Sequence, residues 1–336
     1  MSSRTGILAG GNWIVDHVKI TDVYPAQDAL ANILGESRCN GGGPFNVLKD
    51  LALMKAPFPL EGAGLIGDDE AGKWILQECA TSGIRSSGIH LTDRAPTSYT
   101  DVITVRDTGR RTFFHQRGTN ALLGPEHFDF GSSNARIFHL AYLLLLDRLD
   151  TPLPGGGTGA ATLLASARKA GLMTSVDVVS EDSDRFSGIV LAALPEVDFC
   201  FVNEFEAQRT TGIPLRDGER LLRENLHLAA QRLLDAGVKG TVFLHFPEGA
   251  AAFTSDGREF HQPSLRLPSG WIGGTVGAGD AFAAGVLFAL HEGKSPDRCL
   301  FYGVCAAASS LSNSSTSNGM KPLEDCLSLA DRFGFV

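Results

Sequence analysis

Residues 274–293 read GTVGAGDAFAAGVLFALHEG, a glycine-rich turn that runs directly into a long apolar helix pattern. A helix that begins at such a turn points unpaired backbone N–H groups outward at the positive end of its dipole, which favours the binding of an anion. Asp280 would repel an anion that the turn only held, but it has a use if it takes a proton from the group that attacks the anion. The stretch therefore indicates phosphoryl transfer, with a simple helix cap at Asp280 as the competing interpretation.

The composition is that of a globular protein. The chain has 336 residues, 43% hydrophobic and 20% charged, enough apolar material for a large core. Because the net charge is −9 and no basic run occurs, we expect no nucleic-acid partner. The longest apolar run, residues 140–146, is too short to cross a membrane, and we expect no membrane association. Six cysteines without a Cys-x-x-Cys pair and the lack of a signal pattern favour free thiols and a cytoplasmic location.

Short apolar runs alternate with helical patterns along most of the chain. This alternation predicts an α/β fold with a doubly wound, mostly parallel sheet and helices on both faces. The predicted strands are 5–8, 63–66, 136–145, 173–179, 197–202 and 241–246. The predicted helices are 45–55, 69–81, 160–170, 204–211, 219–236, 278–292 and 296–311.

Two segments interrupt the alternation. Residues 14–24 and 97–114 mix polar and apolar side chains without a helix pattern, as a half-exposed antiparallel sheet does. We expect one domain, 1–336, whose segments 12–24 and 95–117 form a lid over the strand ends. The free edges of a lid sheet could pair with a second copy, so a homodimer through the lid is a further expectation.

A second glycine motif, GGGPFN at residues 41–46, precedes another helix pattern. Its glycines let the backbone approach a ligand closely, and Asn46 offers a donor and an acceptor to a hydroxyl group. Together with the stretch at 274–280, this motif resembles the two signatures of the ribokinase-like (PfkB) carbohydrate kinases. GLIGDDEAG at 64–72 and NEFE at 203–206 match the family pattern in order and spacing, so the resemblance covers nearly the whole chain.

The resemblance implies a doubly wound α/β domain with a small β-sheet lid, and it implies the catalytic groups. Asp280 would be the general base. The backbone of Gly277, Ala278 and Gly279 would form the anion hole for the γ-phosphate of ATP. These assignments suit phosphoryl transfer, which depends on positioning and charge stabilisation more than on covalent help.

The resemblance also implies the ligand-binding groups. The residues that would hold the sugar are Asp16, Gly42 and Asn46. The residues that we expect on the ATP side are Asn203, Glu206, Thr275 and Gly249. Glu206 would also bind Mg²⁺, directly or through water, and its spacing from Asn203 puts both side chains on one helical face.

Two positions depart from the family pattern. Gly274 stands where the second signature usually begins with Asp, so a requirement for a monovalent cation is doubtful. Phe246 stands where the loop beside the nucleotide usually has glycine, so the phosphoryl donor is less well specified than the transfer step. Both departures motivate one alternative, a catalytically silent regulator that binds a sugar or a nucleotide.

The acceptor that we expect is a free ketose or aldose, phosphorylated with ATP and Mg²⁺. Asp16 and Asn46 suit neutral hydroxyl groups, because a carboxylate repels a phosphosugar. A nucleoside is the second choice. An acidic sugar bound by Arg117 is the third, although a surface ion pair would equally explain Arg117.

A third glycine run, GGGTGA at residues 155–160, follows a predicted strand and opens a helix. With Asp177 at the end of the next strand, it has the outline of a dinucleotide fingerprint. An NAD-dependent dehydrogenase is therefore another alternative. The segment 147–154 argues against it, because it separates the strand from the glycines and a dinucleotide turn is tight.

Overall fold

The computed structural model describes residues 4–313 and 315–336. The strands in these ranges are β1 (Ile7–Gly11), β2 (Ile14–Thr21), β3 (Ile33–Gly41), β4 (Leu60–Gly67), β5 (Arg85–Thr92), β6 (Ser98–Val105), β7 (Arg111–Gln116), β8 (Ile137–Leu143), β9 (Met173–Val178), β10 (Phe199–Asn203), β11 (Arg216–Asp217), β12 (Arg220–Leu221), β13 (Thr241–Phe246), β14 (Gly249–Thr254) and β15 (Glu259–Pro263). The helices are α1 (Gly43–Leu53), α2 (Glu70–Thr81), α3 (Asp147–Asp150), α4 (Gly159–Lys169), α5 (Phe186–Ala193), α6 (Glu204–Thr211), α7 (Arg223–Asp235), α8 (Ala278–His291), α9 (Pro296–Ser310) and α10 (Leu323–Phe333).

The large sheet confirms the predicted α/β class. Its strand order over the described residues is β15-β14-β13-β10-β9-β8-β1-β4-β5. Neighbouring strands are parallel except at β13–β14 and β14–β15, which are antiparallel. Successive residues of β1 belong to different cores, because Ile7 and Ala9 pack with α1 and α8 whereas Leu8 packs with α4 and α7. Helices therefore cover both faces of the sheet, as a doubly wound fold requires.

The strand order reverses at β1. From β1 the chain proceeds to β4 and β5 on one side, and it later resumes with β8 on the other side of β1. Connections that leave in opposite directions open a crevice at the carboxyl ends of the two strands, where ligands bind in such folds. The functional site is therefore expected beside Gly11 and Leu143, the last residues of β1 and β8.

A separate four-stranded sheet follows the order β3-β2-β6-β7 and contains most of both predicted lid segments. The pair β2–β6 is parallel, and the two outer pairs are antiparallel. β3 was not predicted, because most of its residues are exposed and its sequence lacks a buried apolar alternation. Pairing with β2 along its whole length holds it in place.

The other differences from the sequence prediction are local. The helix expected at 219–236 begins at Arg223, because 216–221 form a small hairpin around Gly218, whose φ is 58°. β5, α5, β14 and β15 were not predicted. Within the described ranges, no helix is long and apolar enough to span a bilayer.

Candidate active site

A cavity of about 1020 Å³ lies between the carboxyl ends of the large sheet and the small sheet. Strands β8, β9, β10 and β13 contribute Tyr142, Asp177, Asn203 and His245 from the large sheet. The small sheet contributes residues of β2, β6 and β7, and the glycine turn before α8 closes one side. The small sheet therefore roofs a cavity at the carboxyl ends of β8, β9, β10 and β13, whereas Gly11 and Leu143, at the strand reversal, do not line it.

Asp280 lies in the first turn of α8 and lines this cavity, with 6% of its surface exposed. Tyr142 Oη donates a hydrogen bond to Oδ1 at 2.5 Å, and Asn46 Nδ2 donates one to Oδ2 at 2.8 Å. Burial raises the pKa of Asp280 to about 6, against the two hydrogen bonds, which lower it. At neutral pH the group is mostly ionised, and its pKa is close to that of an efficient general base.

The sequence did not single out Tyr142, because it lies in an apolar run at the end of β8. Gly43 makes its approach possible. A Cβ at Gly43 would lie 2.4 Å from the Cβ of Ala141 and 2.9 Å from Cε1 of Tyr142. The glycine motif thus lets α1 pack against the end of β8, and it brings Asn46 and Tyr142 to the same carboxylate.

Asn46 is itself held in place. Its Oδ1 accepts from Asn40 Nδ2 at 2.7 Å, and the same Nδ2 donates to Ser317 Oγ at 3.0 Å. All three side chains are buried. The hydrogen bonds fix which amide atom of Asn46 points at Asp280, because Oδ1 is engaged on the other side.

Asp16, in β2, is 7% exposed and lines the same cavity. Burial and the nearby charge of Asp280 raise the pKa of Asp16 to about 8, although a hydrogen bond with Thr100 lowers it. The backbone is packed tightly here: a Cβ on Gly41 would lie 2.3 Å from Asp16 Oδ1, and one on Gly42 would lie 2.0 Å from the carbonyl oxygen of Asn12. Asp16 is therefore mostly protonated at pH 7, so that it can donate a hydrogen bond as well as accept one.

The turn before α8 presents backbone to the cavity. Gly277 is the N-cap, with φ 75° and no side-chain cap, and a Cβ there would lie 2.6 Å from Cγ2 of Thr316. Thr275, Gly277 and Gly279 line the cavity. Ala278 does not, and its N–H points at the carbonyl oxygen of Thr275 at 3.4 Å. First-turn N–H groups of a helix have no intrahelical acceptor, so this turn suits an anion.

Asn203 and Glu206 form a capping box at the start of α6. The side chain of Asn203 accepts from the Glu206 N–H at 2.9 Å, and Glu206 Oε2 accepts from the Asn203 N–H at 2.8 Å. Ser180 Oγ donates to Glu206 Oε1 at 2.6 Å. Both residues line the cavity, and Glu206 is only 4% exposed. The two residues cap the start of α6, and in this arrangement Glu206 faces the cavity.

Asp177 and Glu206 are two buried carboxyl groups of the cavity that could hold Mg²⁺. Burial raises the pKa of Glu206 to about 7, and burial together with the charge of Glu206 raises the pKa of Asp177 well above its usual value. Among the described residues no group of three or more acidic, His or Cys side chains could enclose a metal ion. Mg²⁺ is usually held by one or two carboxylates together with phosphate oxygens and water, so the pair fits Mg²⁺ bound with a nucleotide.

Two predicted site residues lie elsewhere. Arg117 is not part of the cavity lining, and its guanidinium pairs with Asp147 at 3.0 Å and Glu181 at 3.5 Å. Gly249 begins β14, where a Cβ would lie 2.4 Å from the carbonyl oxygen of Gln262, so strand pairing explains the glycine. Arg117 is thus a residue of an ion-pair network, and Gly249 is a residue of the sheet that does not line the cavity.

The structure explains two features of the sequence, Phe246 and the glycine run at residues 155–160. Phe246 is 7% exposed and packs in the core rather than in an exposed nucleotide loop. Gly155 and Gly156 are exposed, with open space around them, and α3 separates them from β8. The third glycine run therefore lacks the tight strand-to-helix turn of a dinucleotide site.

The pattern of the pfkB family carbohydrate kinases matches residues 12–323. The chain belongs to this family. This PfkB kinase is 27% identical over 303 residues to the ATP-dependent ribose-1-phosphate kinase of Halopiger xanaduensis, with 90% of each chain covered. It is 25% identical over 297 residues to the ribokinase of Arabidopsis thaliana, covering 87% of this chain and 72% of the relative.

The solved structures show the same fold. Arabidopsis thaliana ribokinase complexed with ribose and ATP matches this PfkB kinase with a TM-score of 0.77 at 22% identity, over 97% of this chain and 98% of the other. The family assignment excludes the dehydrogenase alternative, since the match covers the segment on which that alternative rested.

Proposed function

We propose that this kinase transfers the γ-phosphoryl group of ATP to a hydroxyl group of a sugar, with Asp280 as the general base. The supporting observation is that one cavity contains Asp280, the glycine turn before α8, and the buried polar groups Asp16 and Asn46. A proton acceptor and an anion site thus lie beside groups that can bind hydroxyls.

The chemical step follows from this arrangement. The acceptor oxygen forms a bond to the γ-phosphorus while the bond from that phosphorus to the β–γ bridging oxygen breaks. ADP leaves with the electron pair of the broken bond, and the hydroxyl proton passes to the carboxylate of Asp280. The backbone at Gly277 and Gly279, which line the cavity, and the dipole of α8 stabilise the charge on the transferred group, whereas Ala278, whose N–H points at Thr275, takes no part in this. Mg²⁺, which Glu206 and Asp177 would hold together with the nucleotide, would neutralise part of the phosphate charge.

The two aspartates differ in protonation, which separates their roles. With a pKa of about 6, Asp280 is ionised at pH 7, whereas Asp16 with a pKa of about 8 is mostly neutral. A neutral carboxyl group donates one hydrogen bond and accepts others, so Asp16 can orient an acceptor hydroxyl without adding a second negative charge. Environments that push two pKa values apart are typical of assigned acid–base roles.

The acceptor that suits these groups best is a free ketose or aldose, because the groups around Asp280 are hydroxyl-binding. A sugar with an anionic substituent is the second candidate. Arg110 and Arg111 line the lid side of the cavity, and the Halopiger relative is a ribose-1-phosphate kinase. The cation that would recognise such a substituent is therefore in this pair, and Arg117 is engaged elsewhere.

An acceptor screen tests the proposal directly. The protein is incubated with ATP, Mg²⁺ and a panel of ketoses, aldoses, nucleosides, sugar acids and sugar phosphates, and phosphorylated products are identified by mass spectrometry. We expect product from at least one sugar, and far less product in the same time from the same reaction with D280N. ATP binding by the wild-type protein without transfer to any acceptor would contradict the kinase and favour the silent regulator.

We also propose that two copies associate through the small sheet. Within the described part of the chain, β3 and β7 are its outer strands, and β3 exposes Ile33 and Leu34 while β7 exposes Phe114. Exposed apolar residues on an edge strand favour pairing with another chain. Light scattering on I33E and wild-type protein tests this, and a wild-type monomer at high concentration would contradict it.

A further inference from the structure

Arg111 is the first residue of β7, at the tip of the β6–β7 hairpin, and its side chain extends from the lid to the glycine turn. Its guanidinium donates a hydrogen bond to Oγ1 of Thr275, 164 residues away in the chain. Thr275 lies two residues before Gly277, the N-cap of α8. The side chain of Arg111 therefore connects the small sheet to the glycine turn before α8, where the proposed anion site begins.

Among the described residues, no acidic side chain neutralises the charge of Arg111. Its side chain is partly buried, and this burial lowers the pKa of Arg111. The guanidinium is charged at any physiological pH regardless. By contrast, Arg117 and Arg185, which do not line the cavity, both pair with Glu181, which does. Removing a cation partly from water without a carboxylate partner costs free energy, and an anion that binds beside the cation offsets this cost.

Arg111 differs in charge from the other ionisable groups that line the cavity. The lining carboxyl groups include Asp16, Asp177 and Glu206, whereas the histidines His115 and His245 are neutral because burial lowers the pKa of each to about 4. Among the described lining residues, positive charge therefore comes from Arg111 and its exposed neighbour Arg110 alone. An anion bound at the turn before α8 would lie close to Arg111, because Arg111 contacts that turn.

We infer that Arg111 is a catalytic residue, which donates hydrogen bonds to the phosphoryl group in transit between ATP and the acceptor hydroxyl. The inference rests on the proposed function. The bonds that form and break are those of the transfer step described above, and the proton goes to Asp280. Arg111 contributes charge opposite the helix N-terminus, so that the phosphoryl oxygens lie between a guanidinium from the lid and backbone N–H groups from the sheet domain. A fork of N–H donors matches phosphoryl oxygens in geometry as well as in charge.

The test uses R111Q, R111K and R111A, with the neighbouring R106Q as the matched control. Arg106 lies on the same hairpin, is exposed and pairs with Asp107, outside the cavity. Steady-state kinetics are measured with the acceptor that the screen identifies. We expect R111Q to lower kcat roughly 10²–10³-fold, as loss of one donor to a developing oxyanion does, with little change in KM for ATP. R111K is expected to keep part of the activity, and guanidinium ion to restore part of it to R111A, while R106Q matches wild type.

A second readout does not depend on turnover. ADP, Mg²⁺, acceptor and aluminium fluoride together mimic the phosphoryl group in transit, and their joint binding is followed by calorimetry. We expect R111Q to bind ADP as the wild type does but to lose the additional binding with aluminium fluoride. Thermal unfolding of each variant shows whether the hairpin change has harmed folding.

The outcomes separate the inference from the proposed function. Wild-type kcat in folded R111Q would overturn the inference and leave the kinase in place. A rise in acceptor KM without a fall in kcat, seen only for acceptors that carry a phosphate or carboxylate, would also overturn it and assign Arg111 to the substrate. Wild-type protein that transfers no phosphoryl group would overturn both.

Discussion

The two walls of the cavity are built in different ways. On the sheet side, Asp280 is buried and held by Tyr142 and Asn46, which are themselves fixed by packing and hydrogen bonds. On the lid side, Phe113 is 57% exposed and Arg110 is exposed, and the lining is a hairpin tip rather than a core. The large sheet thus fixes the side chain of Asp280, whereas the small sheet offers a surface that a ligand can still cover. Positioning of this kind is what phosphoryl transfer needs most.

The largest effect is expected from removing the base on the sheet side. D280N should keep the fold, because Asn retains the size of the side chain, but kcat should fall about 10²–10⁴-fold as proton removal is lost. Steady-state kinetics check this, and D93N, an exposed change in a turn, is the matched control. A D280N enzyme with nearly wild-type kcat would remove the proposed mechanism.

Asp16, in β2 of the small sheet, tests whether a buried carboxyl group of the cavity lowers stability. Its pKa of about 8 in the folded protein exceeds the unfolded value near 4, so the folded state loses stability as pH rises from about 4 to about 8. D16N removes that loss, and we expect it to raise Tm by at least about 2 °C at pH 8, with almost no change at pH 4. It should weaken acceptor binding at the same time. Calorimetry at both pH values checks this, and an equal Tm change at pH 4 and pH 8 would refute the pKa assignment.

The pH dependence of kcat/KM tests whether Tyr142 acts on Asp280. For the wild type, kcat/KM should fall tenfold per pH unit below about pH 6, because Asp280 becomes protonated. In Y142F the carboxylate loses a donor that favours its ionised form, so this limb should move to higher pH by roughly one unit. A pH profile of kcat/KM measures both. A limb that stays in place would show that the tyrosine does not act on the base.

The smallest effect is expected at Arg117, which lies outside both walls. Its ion pairs with Asp147 and Glu181 are partly exposed, and such pairs contribute about 0–1 kcal/mol. R117Q should therefore lower the free energy of unfolding by no more than that and leave acceptor KM unchanged. Denaturant unfolding and kinetics check this. A large rise in KM for an acidic sugar would return Arg117 to the substrate site.

The sequence predicted strands and helices better than it predicted strand pairing and contacts between side chains. The strand–helix alternation predicted the large sheet, because near-continuous apolar strands and amphipathic helices leave a local pattern. β3 and the β14–β15 pair left a weaker one: β3 is mostly exposed, and β15 alternates exposed and half-buried residues. Their place depends on pairing with other strands. The same limit applies to side chains, since Tyr142 and Arg111 meet Asp280 and Thr275 from 138 and 164 residues away.

What the sequence determined by itself was the fold class and the presence of two glycine motifs, each opening a helix with polar groups at its start. Glycine spacing and apolar periodicity are local properties, and backbone sterics translate them directly into turns and helices. Only the tertiary structure decided that the two helix starts face one cavity, and that within the described residues Arg117 has acidic partners whereas Arg111 has none. Charge pairing depends on distances between residues far apart in the chain, and those distances exist only once the sheet and the lid have packed.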